Sequence, residues 1–416
     1  MLSNRVFAAA LAAASVLFVA TPAVSGEFGA AFKAGDLIKA EAIRDGGGAT
    51  NDFEDGPAAC ALLLFENRAP EATDCYRGLS EAAPDNVALL GALANAAFRA
   101  GDYHTAAEAF TGSHQPPHAV EASRLAVVPS AYQIVADKPS AVVPFVQADL
   151  LPIVKVHLPD DRDHLFAVDT AVAETILDPN LAAALGIVDS TNVLAGALGG
   201  KGTPLSFAIL PRMALGDFAI ERMAVALRDI AKFIQVPAGV SVEGVIGVDL
   251  LRRFVATIDY PNRELVLARQ APDMAGSVPF WLASDRLILA EAAINGTREL
   301  ALLDTGFAGQ ACTLPRSVLG DLGETPEVPT EPAAAAKPVA VTAKSIELAG
   351  VSQENVPCLA GPFPRGLETT TGARIGLLVS DTYLKRYAVT LDFQAMRMTL
   401  REPPALPQAD EKARAN

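Results

Sequence analysis

The sequence predicts a mainly β protein, built as two tandem β lobes in a pseudo-twofold unit and preceded by a small α-helical domain. Three observations predict this. The C-terminal two-thirds contains a long internal repeat. The texture changes between residues 119 and 144, from small and apolar residues at helical spacing to short apolar runs of period two with frequent Gly and Pro. A charged, then apolar, leader stands apart from both.

The repeat is anchored at three places. Phe166-Ala167-Val168-Asp169-Thr170 matches Leu302-Leu303-Asp304-Thr305-Gly306, with Asp169 and Asp304 separated by 304 − 169 = 135 residues. Leu215-Gly216 has its counterpart in Ala349-Gly350, an offset of 134. The run Leu250 to Tyr260 matches Tyr383 to Phe393, and here Asp259 and Asp392 lie 392 − 259 = 133 apart. Three anchors in one order at nearly one offset mark a duplicated module, either a structural repeat or two halves of one site that each give an aspartate.

The 416 residues are 51% hydrophobic, enough for two or three cores, and carry a formal net charge of −15. That charge argues against nucleic-acid binding through phosphates and against docking on an anionic membrane. Arg5, the apolar run Phe7 to Ala20, Pro22 and the small residues Ala23-Val24-Ser25 read as a cleavable secretory signal cut before Gly26, giving a periplasmic or secreted protein with no remaining membrane span. Cys60, Cys75, Cys312 and Cys358 fall as one pair in the helical region and one in the last repeat. In an exported chain this suggests two local disulfides, the alternative being four buried thiols. The five His are scattered and no Cys stands in a CxxC pair, so neither a metal site nor another cofactor is expected.

In chain order, Phe28 to Arg44 reads as a helix ended by Gly46-Gly47-Gly48. Ala58 to Glu66 and Thr73 to Ala82 read as two more, which a Cys60–Cys75 bridge would staple. Leu90, Leu93, Ala94, Ala97, Gly101, Tyr103, Ala106 and Phe110 resemble one tetratricopeptide unit. A single unit cannot bury its face alone, so this region packs on the rest and either docks a protein partner or acts as a helical spacer. Gln115-Pro116-Pro117 is expected to break the helical region. Ile153 to Leu158 alternates, and Leu165 to Val168, Phe207 to Leu210 and Met223 to Leu227 are buried runs. Asp178-Pro179 to Gly186 is a short capped helix. Ala195 to Gly202 is a Gly-rich hairpin suited to folding over a ligand, whereas the second repeat has Glu324 to Pro332 and four alanines at that place. The expected organisation is 1–25 signal peptide, 26–118 helical domain, 119–143 linker, 144–270 lobe one, 271–403 lobe two and 404–416 disordered tail.

An apolar strand running into Asp-Thr-Gly, a Gly-rich hairpin, the run Gly244-Val245-Ile246-Gly247-Val248-Asp249-Leu250-Leu251 and the closing Val255 to Leu267 together resemble the retropepsin-like aspartic proteases, the last hairpin looking like that of the bacterial members. The resemblance covers both lobes. It implies an endopeptidase acting on peptides or unfolded proteins without a cofactor. Its catalytic residues would be Asp169 and Asp304, with Thr170, Thr305 and Gly306 supporting the turns. Gly196, Gly199, Gly200 and Gly202 would form the substrate flap. Two carboxylates roughly 3 Å apart cannot both ionise, so they share a proton and the titration belongs to the pair. The chain departs from the family pattern in three places. Ala171 stands for Gly, where a methyl group crowds the turn or restricts φ. Ser380 stands where lobe one has Gly247. Phe307 to Cys312 lengthens the segment after the second triplet. These departures define the alternative function, an impaired pseudoprotease that binds peptide or protein. A third reading pairs Asp304 with its copy in a second chain.

Overall fold

A computed structural model describes residues 26–47, 55–148, 151–187, 193–194, 204–234, 239–306, 309–323, 338–361, 363 and 366–403. The expected signal peptide, the four flap glycines, the 324–337 stretch and the tail lie outside the described residues.

The helical region comes first: α1 (Glu27–Ala34), α2 (Leu37–Asp45), α3 (Gly56–Phe65), α4 (Ala69–Ala82), α5 (Val87–Ala100), α6 (Tyr103–Gly112) and α7 (Pro116–Val127). The single helix expected over 28–44 is two, because Gly35 turns left-handed at φ 82° and Asp36 caps the new start by accepting from the Lys39 amide. Asn86 caps α5 and Asp102 caps α6, and Gly101 ends α5 at φ 81°. Pro116 and Pro117 do not break the helical region. They occupy the first turn of α7, where a missing N–H costs nothing. The expected 119–143 linker therefore holds most of α7, strand β1 (Gln133–Ala136) and the start of β2 (Ser140–Gln147). Cys60 and Cys75 bridge α3 to α4 with Cα atoms 5.5 Å apart.

Lobe one continues with β3 (Ile153–His157), β4 (Asp163–Val168), β5 (Ile176–Leu177), α8 (Pro179–Ala184), β6 (Val193–Leu194), β7 (Pro204–Leu215), β8 (Phe218–Leu227), a helical turn α9 (Ile230–Phe233), β9 (Gly244–Ile246), a turn α10 (Val248–Leu251), β10 (Val255–Asp259) and β11 (Glu264–Ala268). Lobe two comprises β12 (Val278–Ala283), β13 (Leu287–Ile294), β14 (Thr297–Asp304), β15 (Cys312–Pro315), a 3-10 segment Arg316–Leu322, β16 (Val339–Leu348), β17 (Val351–Gly361), α11 (Leu367–Thr371), β18 (Leu377–Ser380), a turn α12 (Asp381–Leu384), β19 (Ala388–Asp392) and β20 (Arg397–Arg401).

The two lobes repeat one pairing scheme. In lobe one β4 runs antiparallel to β3 and parallel to β9; in lobe two β14 runs antiparallel to β13 and parallel to β18. Long hairpins β7–β8 and β16–β17 correspond. The lobes join through one antiparallel sheet in the order β2-β11-β10-β19-β20-β12. At its centre Thr257 faces Thr390 with hydroxyl oxygens 2.9 Å apart, and these residues are 390 − 257 = 133 apart, the offset of the repeat itself. Repeat-related residues thus meet on a pseudo-twofold axis.

A continuous apolar core runs through both lobes. The helical region is not a separate body. Phe28, Phe32, Leu37, Leu62 and Phe65 share one buried cluster with Trp281, Leu287, Leu289, Leu300 and Leu302 of lobe two. Leu125 of α7 enters the main core. Each such buried side chain contributes about 1.5–3 kcal/mol, so the helices and lobes stabilise one another. Among the described residues no helix is long and apolar enough to cross a membrane.

Candidate active site

Each candidate aspartate ends an inner strand of its lobe. Phe166, Ala167 and Val168 are fully buried, as are Ala301 to Leu303, so the strands run through the core and deliver Asp169 and Asp304 at the seam between lobes. Each strand is held on its C-terminal flank by a parallel neighbour: the Asp169 amide donates to the Ile246 carbonyl at 3.1 Å, and Asp304 pairs with Ser380.

The two turns are locked together. The Thr170 amide donates to Thr305 Oγ1 at 3.0 Å, the Thr305 amide donates to Thr170 Oγ1 at 3.2 Å, and the two hydroxyl oxygens are 3.0 Å apart. Both threonines are buried, so these bonds are shielded from water. Within each turn the carboxylate accepts from the amide two residues on: Ala171 to Asp169 Oδ1 at 2.8 Å, Gly306 to Asp304 Oδ1 at 2.9 Å. A side chain at Gly306 would land on the Asp169 carboxylate. Asp169 therefore leans on the very residue whose amide holds Asp304, and the two acidic groups converge on Gly306. Asp169 and Asp304 are only 7% and 4% exposed. Burial pushes Asp169 up to about 6, against the Ala171 amide and the Arg286 charge, which favour the carboxylate. A buried carboxyl that stays protonated in mild acid beside a second carboxyl can share a proton with it and take one from a bound water.

The three departures from pattern have physical accounts. Ala171 does not have a positive φ, nor does Gly306, so the backbone of either turn admits a side chain. What distinguishes the two positions is the lack of room at Gly306. Gly247 is required in lobe one because a Cβ there would meet the Glu174 and Val172 carbonyls at 2.6 and 3.0 Å. In lobe two the position holds Ser380, whose hydroxyl donates to the Gln310 carbonyl at 2.6 Å and accepts from the Thr382 amide at 3.2 Å. Thr382 Oγ1 donates to the Gly309 carbonyl at 3.1 Å. These hydroxyls replace the lobe-one arrangement, in which Thr175 donates to Asp249 at 2.7 Å. Cys312 and Cys358 bridge β15 to β17 with Cα atoms 4.6 Å apart, just beyond the second turn.

Three residues near the dyad were not legible in the sequence. Arg286, in the β12–β13 turn, is attracted by Glu174, Asp304 and Asp169 and repelled by Arg228. The repeat aligns it with Leu151, since 286 − 135 = 151, so the internal comparison gives no cue. Glu174 follows the first turn and supplies charge on the lobe-one side. Tyr260 is 5% exposed and feels Asp381, Asp169 and Asp304. Its repeat partner Phe393 carries no hydroxyl. The described residues contain no group of three or more acidic, His or Cys side chains able to hold a metal.

A family model described as Aspartyl protease matches residues 154–250, from β3 to α10, and so includes Asp169 but not Asp304. No curated protein matches the chain. Among solved structures, the aspartic proteinase from Irpex lacteus is similar at 13% identity and TM-score 0.44, covering 64% of this chain and 98% of that one. Basic 7S globulin from soybean is similar at 12% identity and TM-score 0.38, covering 63% and 96%. Conglutin gamma, a basic 7S globulin from lupine seeds, is similar at 11% identity and TM-score 0.38, covering 64% and 96%.

Proposed function

We propose that the protein is an exported aspartic endopeptidase in which Asp169 and Asp304 jointly activate a water for attack on a peptide carbonyl. The observation that carries this reading is the convergence of two buried carboxyls on Gly306, fixed by the reciprocal Thr170–Thr305 bonds. The match of residues 154–250 to an aspartyl protease model supports it independently.

In the proposed cycle one proton is shared by the pair. The ionised carboxylate takes a proton from the water as its oxygen bonds to the scissile carbon. The other carboxyl hydrogen-bonds the carbonyl oxygen, and a proton passes to the leaving amine as the C–N bond breaks. Neither role is given to one aspartate alone, because the titration belongs to the pair. Because the first turn is locked to the second within one chain, the reading that pairs Asp304 with a second copy has no structural support. Export rests on the leader and on the two cysteine bridges, which persist in oxidising compartments.

The test is cleavage of an unfolded protein from about pH 3 to pH 8 by wild type, Asp169→Asn and Asp304→Asn. The proposal expects cleavage in acid that fades as pH rises through the region of the raised Asp169 titration, and at least a ~10³-fold loss in each variant. Peptide binding without cleavage at any pH would replace it with the pseudoprotease reading.

A further inference from the structure

The helical region reaches the candidate site through one buried arginine. Arg99 lies near the end of α5, its side chain wholly buried. Its Nη1 donates to the Leu282 carbonyl at 3.0 Å and lies 3.5 Å from Asp285 Oδ1, while Nε donates to Asn67 Oδ1 at 3.3 Å. Asn67 in turn donates to the Phe393 carbonyl at 2.8 Å, at the end of the inter-lobe strand β19. A buried guanidinium is costly unless its partners are fixed, so Arg99 and the turn it grips hold each other in place. Burial lowers Arg99 to about 10, with Asp285 favouring its charge and Arg252 opposing it, and it remains a cation at neutral pH.

The gripped turn is itself unusual. Ser284 and Asp285 are its two central residues, and both are left-handed, at φ 48° and 56°, a conformation usually left to Gly or Asn. The Arg286 amide closes it on the Ala283 carbonyl at 3.2 Å. Left-handed backbone at successive non-glycine residues costs free energy, and Arg99 contacts the chain on the near side of this turn at Leu282 and within it at Asp285. The next side chain is Arg286, which lies within electrostatic reach of Asp169, Asp304, Glu174 and Arg228.

We propose that Arg99 is a positioning residue for the active site: by holding the Ser284–Asp285 turn, the helical region keeps the Arg286 guanidinium within electrostatic reach of the two aspartates. The inference rests on the protease reading for its consequence in catalysis, but not for its test. Asp carboxyls of the full mature chain are ¹³C-labelled and the Asp169 titration is followed by NMR, a readout that needs no activity. The pH profile of kcat/KM is measured in parallel. Arg286→Gln is expected to raise the midpoint by about 0.5–1 pH unit, since a nearby cation is removed. Arg99→Met and Asp285→Asn are expected to shift it the same way. Arg99→Lys is also expected to shift it, because an ammonium cannot grip Leu282, Asp285 and Asn67 together. If Arg99→Met does not fold, Asp285→Asn decides. An unmoved midpoint in Asp285→Asn and Arg99→Lys while Arg286→Gln moves it would overturn the proposal. A wild type that titrates as described but never cleaves would sink the protease reading alone.

Discussion

Gly306 and Ala171 occupy equivalent places in the two turns, yet substitution should affect them in opposite ways. A methyl group at Gly306 would meet the Asp169 carboxylate, so Gly306→Ala is expected to separate the pair and reduce cleavage at least ~10²-fold. Ala171→Gly is expected to keep activity and cost about 0.5–1 kcal/mol through the freer unfolded chain, read from urea unfolding. Asp169 makes a separate stability prediction. Burial pushes its carboxyl, one of a pair that titrates together, up to about 6 in the folded protein against 3.8 for the ordinary group, so between these values the folded state holds the extra proton. The stability this group contributes is therefore fully present in acid and is lost as pH rises through about 6, at a cost on the order of 2–3 kcal/mol once the group is ionised. Asp169→Asn keeps an acceptor for the Ala171 amide and removes that cost. It should exceed wild type by this amount at pH 7 and match it near pH 3.5; equal unfolding midpoints at pH 7 would contradict the assignment. The aspartates and their threonines were readable because the Asp-Thr pattern recurs at a fixed offset. Arg286 and Arg99 were not, because their roles depend on which turns pack side by side.

At the level of elements, the Asp304 turn is braced differently from the Asp169 turn. Ser380→Gly removes a buried hydroxyl that serves Gln310 and Thr382, and should destabilise the chain by about 1–3 kcal/mol while lowering kcat more than it raises KM. Gly247→Ser, the reverse exchange in lobe one, should fail to fold well because backbone carbonyls fill the space. The Cys312–Cys358 bridge closes 46 residues, for which chain entropy gives about 4 kcal/mol. A double Ala variant that unfolds at the same temperature as wild type would show that the bridge contributes nothing. The short helix after Asp178 was legible at this scale, since Asp178 caps it by accepting from the Asn180 amide and Pro179 opens it. The split at Gly35 and the start of α7 at Pro116 were not, because Gly and Pro punctuate helices at either end and the residues downstream decide their sense.

For the molecule as a whole, the helices and lobes share buried apolar clusters and are expected to unfold together. The apolar cluster that joins Phe28, Phe32 and Phe65 to Trp281 and Leu289 would be exposed if residues 26–127 were removed. That argues against a detachable pro-segment. Chain cleavage engineered between α7 and β1, near Pro129, should leave both fragments together on gel filtration with the fold intact. Separation in native buffer would show that the shared core is too weak to hold them. The face that a lone tetratricopeptide-like unit would offer to a partner is partly taken up by the lobes of the same chain.

The duplication, the mainly β character of the lobes, the helical lead-in and the positions of the two Asp-Thr motifs are written in local patterns or in a repeat at fixed spacing, so they can be read before any fold is known. The folded chain alone brings Thr170 to Thr305, aims both carboxyls at Gly306, and places Arg99 from a distant helix on the turn before Arg286. Those contacts join residues far apart in the chain, and what brings them together is burial of apolar surface across the seam, which carries no local signature.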